Sequence, residues 1–138
     1  MDFSYVLTPF LVWLVAGATK FLVNSVRMGR PAFDLIGYGG MPSNHSAIVS
    51  SMAALIAFKE GIDRPAFGIA LTLAFIVVLD AGSLRRHVGS HAAAINRLTS
   101  SLSVTEPLRE RLGHTRAEIA AGVALGIAVA ATVSRLIG

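Results

Sequence analysis

The sequence predicts an all-α integral membrane protein, a single domain over residues 1–138 built from about four transmembrane helices and an additional amphipathic helical segment. Hydrophobic residues make up 54% of the 138 positions. Charged residues make up only 14%, against about 25% in an average soluble domain. The chain has no cysteine, which excludes disulfides, thiol catalysis and cysteine-ligated metal clusters.

Four stretches are apolar enough to form the expected spans, since a crossing helix needs about 20 largely apolar residues. In the first, a signal peptide is disfavoured because no basic start and no small-x-small cleavage site precede Lys20. The second spans only if its polar start is included; Pro42 suits its first helical turn, with Ser43 or a neighbour at the cap. The expected spans are residues 5–26, 41–58, 65–84 and 115–137.

The stretch 84–112 is more polar, and its apolar residues recur at helical spacing. We expect an amphipathic helix that lies on, or leaves, the membrane surface. Gly122 and Gly126 permit close helix contact within the last span, either in the bundle or between subunits. The spaced apolar positions of the amphipathic stretch are Leu84, Val88, Ala92, Ile95, Leu98 and Leu102.

Four spans with short connections place the loop 27–40 and the region 80–116 at one end of the bundle. The turn 59–64 and both termini then lie at the other end. Nine of the 12 Lys and Arg residues fall at the first end, and the positive-inside rule would make that end cytoplasmic. The orientation stays open if these arginines bind phosphate instead. The nine are Lys20, Arg27, Arg30, Arg85, Arg86, Arg97, Arg109, Arg111 and Arg116.

Net charge +4 in so apolar a chain favours anionic lipids or phosphate groups over nucleic acid as partners. The segment 39–46 (GGMPSNHS) fits an anion site, because glycines allow close approach and a helix start presents free N–H groups. Ser43 and Ser46 would add hydroxyl donors, and His45 is placed to transfer a proton. The same residues also describe an ordinary capped helix with an interfacial histidine.

His114 and Glu118 lie four residues apart at the start of the last helix and therefore share one face. A carboxylate bound to one imidazole nitrogen makes the other nitrogen a better base or nucleophile. Glu118 is also what an ordinary helix start would carry against its dipole. Because it opens a membrane helix, however, we treat it as a functional candidate.

A third candidate segment, 80–87 (DAGSLRRH), ends the third span with two adjacent arginines. Arg85 and Arg86 could bind phosphate oxygens, with Asp80 holding one of them in place, or could simply flank the membrane. His87 and His91 have helical spacing but no obvious third ligand, so we expect no metal site. Cations and two imidazoles at one end, without an acidic cluster, favour phosphoryl transfer that needs no metal and no cofactor.

The segments 39–47 (GGMPSNHSA), 79–89 (LDAGSLRRHVG) and 112–122 (LGHTRAEIAAG) resemble the divergent branch of the type 2 phosphatidic acid phosphatase superfamily, which is related to the vanadium-dependent haloperoxidases. The superfamily carries the motifs Lys-x6-Arg-Pro, Pro-Ser-Gly-His and Ser-Arg-x5-His-x3-Asp. The resemblance extends over nearly the whole chain.

The resemblance implies a role for each matching residue. His114 would be the nucleophile that forms a phosphohistidine, Glu118 would orient it, and His45 would be the general acid and later the base. Phosphate oxygens would be held by Lys20, Arg27, Ser43 and the backbone N–H of Asn44.

Several positions depart from the superfamily motifs. Met28 follows Arg27 where proline is expected, Asn44 replaces glycine, and Leu108 stands where the third motif has arginine. Arg85 or Arg86 would then replace that arginine from the preceding helix. The chain is shorter than its six-helix relatives, which leaves open a homo-oligomer whose second subunit completes the bundle.

We therefore expect a phosphatase acting on a lipid phosphate or diphosphate, in a bacterial-type inner or plasma membrane, with its site on the cytoplasmic face. Two alternatives remain: a carrier or flippase that binds a lipid headgroup without hydrolysis, and a non-catalytic membrane assembly factor.

Overall fold

Five α-helices make up the described part of the chain, which comprises residues 2–33, 40–100, 106–110 and 112–137 of a computed structural model. All regular secondary structure within these residues is helical, which confirms the predicted all-α class. The helices are α1 (Ser4–Met28), α2 (Asn44–Lys59), α3 (Pro65–Gly82), α4 (Leu84–Leu98) and α5 (Arg116–Ile137).

The described helices include three stretches long and apolar enough to cross a membrane: α1, the stretch 65–98 that begins with α3, and α5. With 16 residues, α2 is about 24 Å long at 1.5 Å per residue. It lies in the middle of the bundle and contacts α1, α3 and α5. The chain is thus a helical membrane protein in which the shortest of the four apolar helices is surrounded by the other three.

Three helix boundaries differ from the prediction. Pro42 does not enter the first turn of α2; Ser43 is the N-cap and the helix begins at Asn44. The third helix ends at Gly82, and Ser83 (φ −109°, ψ −68°) separates it from α4. The amphipathic helix α4 is shorter than expected and ends at Leu98, while the predicted position Leu102 lies outside the described residues.

Small side chains fill the interior, and large apolar side chains face outward. Val12 and Ala16 of α1 pack on Ala47 of α2, and Ala53 and Ile56 pack on Ala70 of α3. Many large apolar residues of α1 and α3, by contrast, are more than half exposed. A water-soluble monomer rarely exposes so much apolar surface, whereas small residues inside and large ones outside are usual among membrane helices.

Gly122 and Gly126 make the closest helix contact, against the first two turns of α2. A Cβ at Gly122 would collide with the backbone of Ser43. One at Gly126 would collide with the carbonyl of Ala47 and lie 3.0 Å from the amide nitrogen of Ser51. Of the two uses predicted for this glycine pair, the structure shows packing within the bundle.

Lys59 joins three chain segments at the end of the bundle opposite the glycine contact. Its Nζ donates to Asp2 Oδ2 (2.6 Å), to Ser4 Oγ (3.2 Å) and to the carbonyl of Ile137 (3.4 Å). The hydrogen bond from Lys59 keeps the pKa of Asp2 well below its usual range. Both terminal segments and the end of α2 therefore meet at one end, which confirms the predicted topology.

We predict that Gly126→Ala lowers the thermal stability of the purified protein in detergent, by the equivalent of about 1–3 kcal/mol, because the added methyl overpacks the contact with α2. Gly68→Ala is the matched control, since a Cβ there meets nothing within 4 Å. Unfolding followed by circular dichroism measures both. Equal stability of the two variants would contradict the close α2–α5 contact.

Candidate functional site

Two backbone hydrogen bonds bring the three predicted motif segments together at one end of the bundle. The amide of Ser43 donates to the carbonyl of Glu118 (3.0 Å), which ties the start of α2 to the start of α5. The amide of His114 donates to the carbonyl of Ala81 (3.0 Å), which ties the segment before α5 to the end of α3. Main-chain hydrogen bonds thus hold together segments that are distant in the sequence.

His114 and Glu118 form a close pair in which His114 is buried, with 8% of its surface exposed. The imidazole Nδ1 lies 3.1 Å from Glu118 Oε2. Since a carboxylate accepts hydrogen bonds, Nδ1 carries a proton, and in the neutral ring Nε2 is the nitrogen with the free lone pair. The pair therefore presents Nε2 as a nucleophile or base.

Thr115 fixes the carboxylate of Glu118 through a capping box. The amide of Thr115 donates to Glu118 Oε2 (3.0 Å), and Thr115 Oγ1 accepts from the amide of Glu118 (3.2 Å). This reciprocal pair is the usual way to satisfy free N–H groups at a helix start. One oxygen, Glu118 Oε2, thus contacts both the cap and the imidazole, and this geometry agrees with the structural and the functional interpretation alike.

His45, in the first turn of α2, contacts Arg85 from the first turn of α4. Arg85 Nη2 lies 3.4 Å from His45 Nε2, and because a guanidinium only donates, that nitrogen is the acceptor. Partial burial lowers the pKa of His45, and the positive charge of Arg85 lowers it further. Smaller contributions in the same direction come from His114 and Lys20, so the two imidazoles lie close enough for their charges to interact.

Lys20 enters the same cluster from α1. Val12 and Ala16 of α1 pack on Ala47 near the start of α2, whereas Tyr5 packs on Ala53 and Ile56 near its end, so α1 and α2 run antiparallel. One further turn along α1 from Ala16 brings Lys20 level with the start of α2. Its half-buried ammonium interacts electrostatically with Glu118 and with His45. The cluster therefore combines two cations, two imidazoles and one carboxylate.

The N-terminus of α2 supplies further donors. Ser43 is fully buried, and its Oγ accepts from the hydroxyl (3.0 Å) and the amide (3.4 Å) of Ser46. As N-cap it satisfies the Ser46 amide, but the earlier N–H groups of the turn, including that of Asn44, have no partner within the helix. Such groups, with the helix dipole, favour an anion.

Two predicted phosphate ligands are not brought into the cluster by any contact among the described residues. Arg27 is exposed in the last turn of α1, about 10 Å along the helix from Lys20. Arg86 is exposed, as Arg85 is, but neighbouring helix positions point about 100° apart, and the described contact with His45 is made by Arg85. Asp80 is exposed as well, without a described hydrogen bond to Arg85 or Arg86.

The predicted absence of a metal site remains a prediction. His87 and His91 are exposed on α4. Within the described part of the chain, no group of three or more histidine, cysteine or carboxylate side chains is arranged to hold a metal.

The sequence analysis missed Asn24, which is buried on α1 one turn after Lys20. It lies against Gly40, where a Cβ would stand 3.3 Å from Asn24 Oδ1, and so supports the backbone just before the α2 start. The sequence signal that could have identified Asn24 is an asparagine four residues after Lys20 in a mostly apolar helix.

Asn96 and Gly89 were missed as well, and they hold the segment that leads to His114. The amide group of Asn96 both donates to the Leu108 carbonyl and accepts from the Leu108 N–H, at 2.8 Å each. Gly89 leaves room for the carbonyl of Glu110, with which a Cβ would collide. The residues before His114 therefore run back along α4, the helix that carries Arg85.

Comparisons with known proteins agree with this picture of a membrane protein. A family model described as "Divergent PAP2 family" matches residues 1–129. The chain is 34% identical over 105 residues to the "Uncharacterized membrane protein YuiD" of Bacillus subtilis (strain 168), an alignment covering 64% of this chain and 66% of the relative. The chain thus spans just under two thirds of that relative's length. No solved structure matches the chain.

We predict that Arg85→Gln raises the pKa of His45, because removing the adjacent positive charge makes the protonated imidazole less unfavourable. Arg86→Gln is the matched control and should leave it unchanged, since its side chain points elsewhere. Titration of the histidine ring protons by NMR in detergent micelles measures both. Equal shifts in the two variants would contradict the contact between Arg85 and His45.

Proposed function

Because the chain belongs to the divergent PAP2 family, we propose that this membrane protein hydrolyses a lipid phosphate or diphosphate through a phosphohistidine intermediate. The observation that carries the proposal is the His114–Glu118 pair (3.1 Å) beside His45, Arg85 and Lys20. A nucleophilic nitrogen, a proton-transfer group and two cations are what phosphoryl transfer needs without a metal ion or cofactor.

In the first step Nε2 of His114 attacks phosphorus. The N–P bond forms as the bond from phosphorus to the lipid oxygen breaks, and that oxygen takes a proton from His45 as it leaves. Glu118 holds the Nδ1 proton and stabilises the positive charge that develops on the ring of His114.

In the second step His45 takes a proton from water, and the water oxygen attacks phosphorus. The N–P bond breaks, inorganic phosphate leaves, and the Nε2 lone pair of His114 is restored. Since His45 regains the proton it gave to the leaving group, the cycle closes without a co-reactant.

Binding of the substrate enables His45 to act as a general acid. Its Nε2 accepts from Arg85, and its lowered pKa favours the neutral ring. An incoming phosphate brings negative charge, draws Arg85 to its oxygens and raises the pKa of His45 again. His45 would therefore take up its proton as the lipid phosphate binds and release it as inorganic phosphate leaves.

The phosphate oxygens would be held by Lys20, Arg85, Ser43 and the N–H of Asn44. Arg85 then supplies the charge that the third superfamily motif places where this chain has Leu108. Arg27 and Arg86 stay predicted ligands. The site lies at one end of the membrane-crossing helices, which suits a substrate whose tail stays in the bilayer while its headgroup reaches the cations. The excess of Lys and Arg at this end supports a cytoplasmic site in a bacterial-type inner membrane.

The test is phosphate release from a panel of lipid phosphates by the purified protein in detergent containing EDTA. We expect turnover that vanadate blocks. His45→Ala should lower it about 10²–10⁴-fold, the usual contribution of a general acid, and His114→Ala should abolish it. His87→Ala, which alters an exposed histidine outside the cluster, should leave it unchanged.

Activity that survives both His45→Ala and His114→Ala would overturn the phosphatase proposal. If no lipid phosphate turns over but one binds tightly, the protein is instead a headgroup carrier or flippase. If neither turnover nor binding occurs, the assembly-factor alternative is favoured.

Glu118→Gln separates the two roles of Glu118. Glutamine still serves a capping box but lacks the charge that stabilises the His114 ring. We expect kcat to fall about a hundredfold or more while the Kd for the lipid phosphate changes by less than about threefold. Equal losses in kcat and in binding would show that Glu118 is only structural.

A further inference from the structure

Helix α4 carries an apolar stripe whose four residues are each close to half exposed or more in the described chain. Leu84, Val88, Ile95 and Leu98 are 55%, 47%, 46% and 79% exposed. At about 100° per residue they lie within an arc of about 80° on one side of the helix. His91 is the polar residue within the same arc.

The other side of α4 is already occupied or polar. Gly89, Ala92 and Asn96 face the returning segment 106–110, as their burial and contacts show. Beyond them, on the side opposite the stripe, Ser90 and Arg97 are exposed. The helix thus has one apolar side, one side packed on its own chain and one polar side.

We propose that this stripe rests in the headgroup layer of the bilayer that the protein itself crosses, with α4 lying along the membrane surface. The helix starts within two residues of the end of α3, so the stripe begins beside a helix whose large apolar side chains face outward. The excess of basic residues at this end matches an anionic leaflet. A helix with an apolar side and a cationic polar side is the kind that binds in this layer.

This placement fixes the depth of the candidate site. Arg85 belongs to α4 and contacts His45, and α4 also holds the segment that leads to His114. A helix anchored in the headgroup layer therefore keeps both halves of the site at the level of lipid phosphates. The proposal concerns the position of α4 and does not depend on catalysis.

Single spin labels test the proposal directly, because the chain has no cysteine to remove. The labelled variants are Leu84→Cys, Val88→Cys and Ile95→Cys on the stripe and Ser90→Cys and Arg97→Cys on the polar side. Leu73→Cys in α3 gives the lipid reference and Asp63→Cys in the α2–α3 turn the water reference. Each is placed in nanodiscs of phosphatidylcholine and phosphatidylglycerol, after gel filtration shows that it elutes as the unlabelled protein does.

Collision rates with oxygen and with a water-soluble nickel chelate are then measured by power saturation. We expect the oxygen-to-nickel ratio at the stripe positions to approach that of Leu73→Cys, and the ratio at Ser90 and Arg97 to approach that of Asp63→Cys. Stripe labels as open to nickel as the Ser90 label would place α4 in water and overturn the proposal. Stripe labels shielded from both reagents would overturn it too, and would show that a second copy covers the stripe.

Discussion

The contact between α2 and the first half of α5 is the constraint on which the site depends. Gly122 and Gly126 let the two backbones approach until the amide of Ser43 reaches the carbonyl of Glu118 (3.0 Å). Side chains larger than hydrogen would separate the helices and break this bond. The His45 and His114 turns face each other because the glycines below them remove the intervening side chains.

Several polar side chains at this end of the bundle share hydrogen bonds with their neighbours in the chain. The capping box ties Thr115 to Glu118, and Glu118 also holds His114. Ser43 likewise serves two groups, because its Oγ accepts from both the amide and the hydroxyl of Ser46. Since unpaired polar groups are costly in an apolar surrounding, such shared hydrogen bonds let a polar site exist within a bundle of mostly apolar helices.

The α4 region gives the site its second support. It contributes Arg85 directly and holds the residues before His114 through Asn96 and the open space at Gly89. Lys59 has the complementary role at the far end, where it joins both terminal segments to α2. The bundle is therefore tied by polar contacts at each end and packed by small residues between them.

The sequence by itself determined the all-α membrane class, approximate helix positions, the direction of each helix and the pairing of His114 with Glu118. These follow from composition and from the 3.6-residue period, which are properties of one segment at a time. The sequence patterns wrongly predicted that Pro42 lies inside α2 and that α4 extends beyond Leu98. Both stretches are compatible with a helix, and only the local backbone decides where a helix begins or ends.

Only the tertiary structure shows that Arg85 contacts His45, that Gly122 and Gly126 pack against α2, and which groups Asn24 and Asn96 contact. Each of these contacts depends on the rotation of a helix about its own axis and on its distance from the neighbouring segment. Rotation and closeness arise from the packing of several segments at once, and no pattern within a single segment contains them.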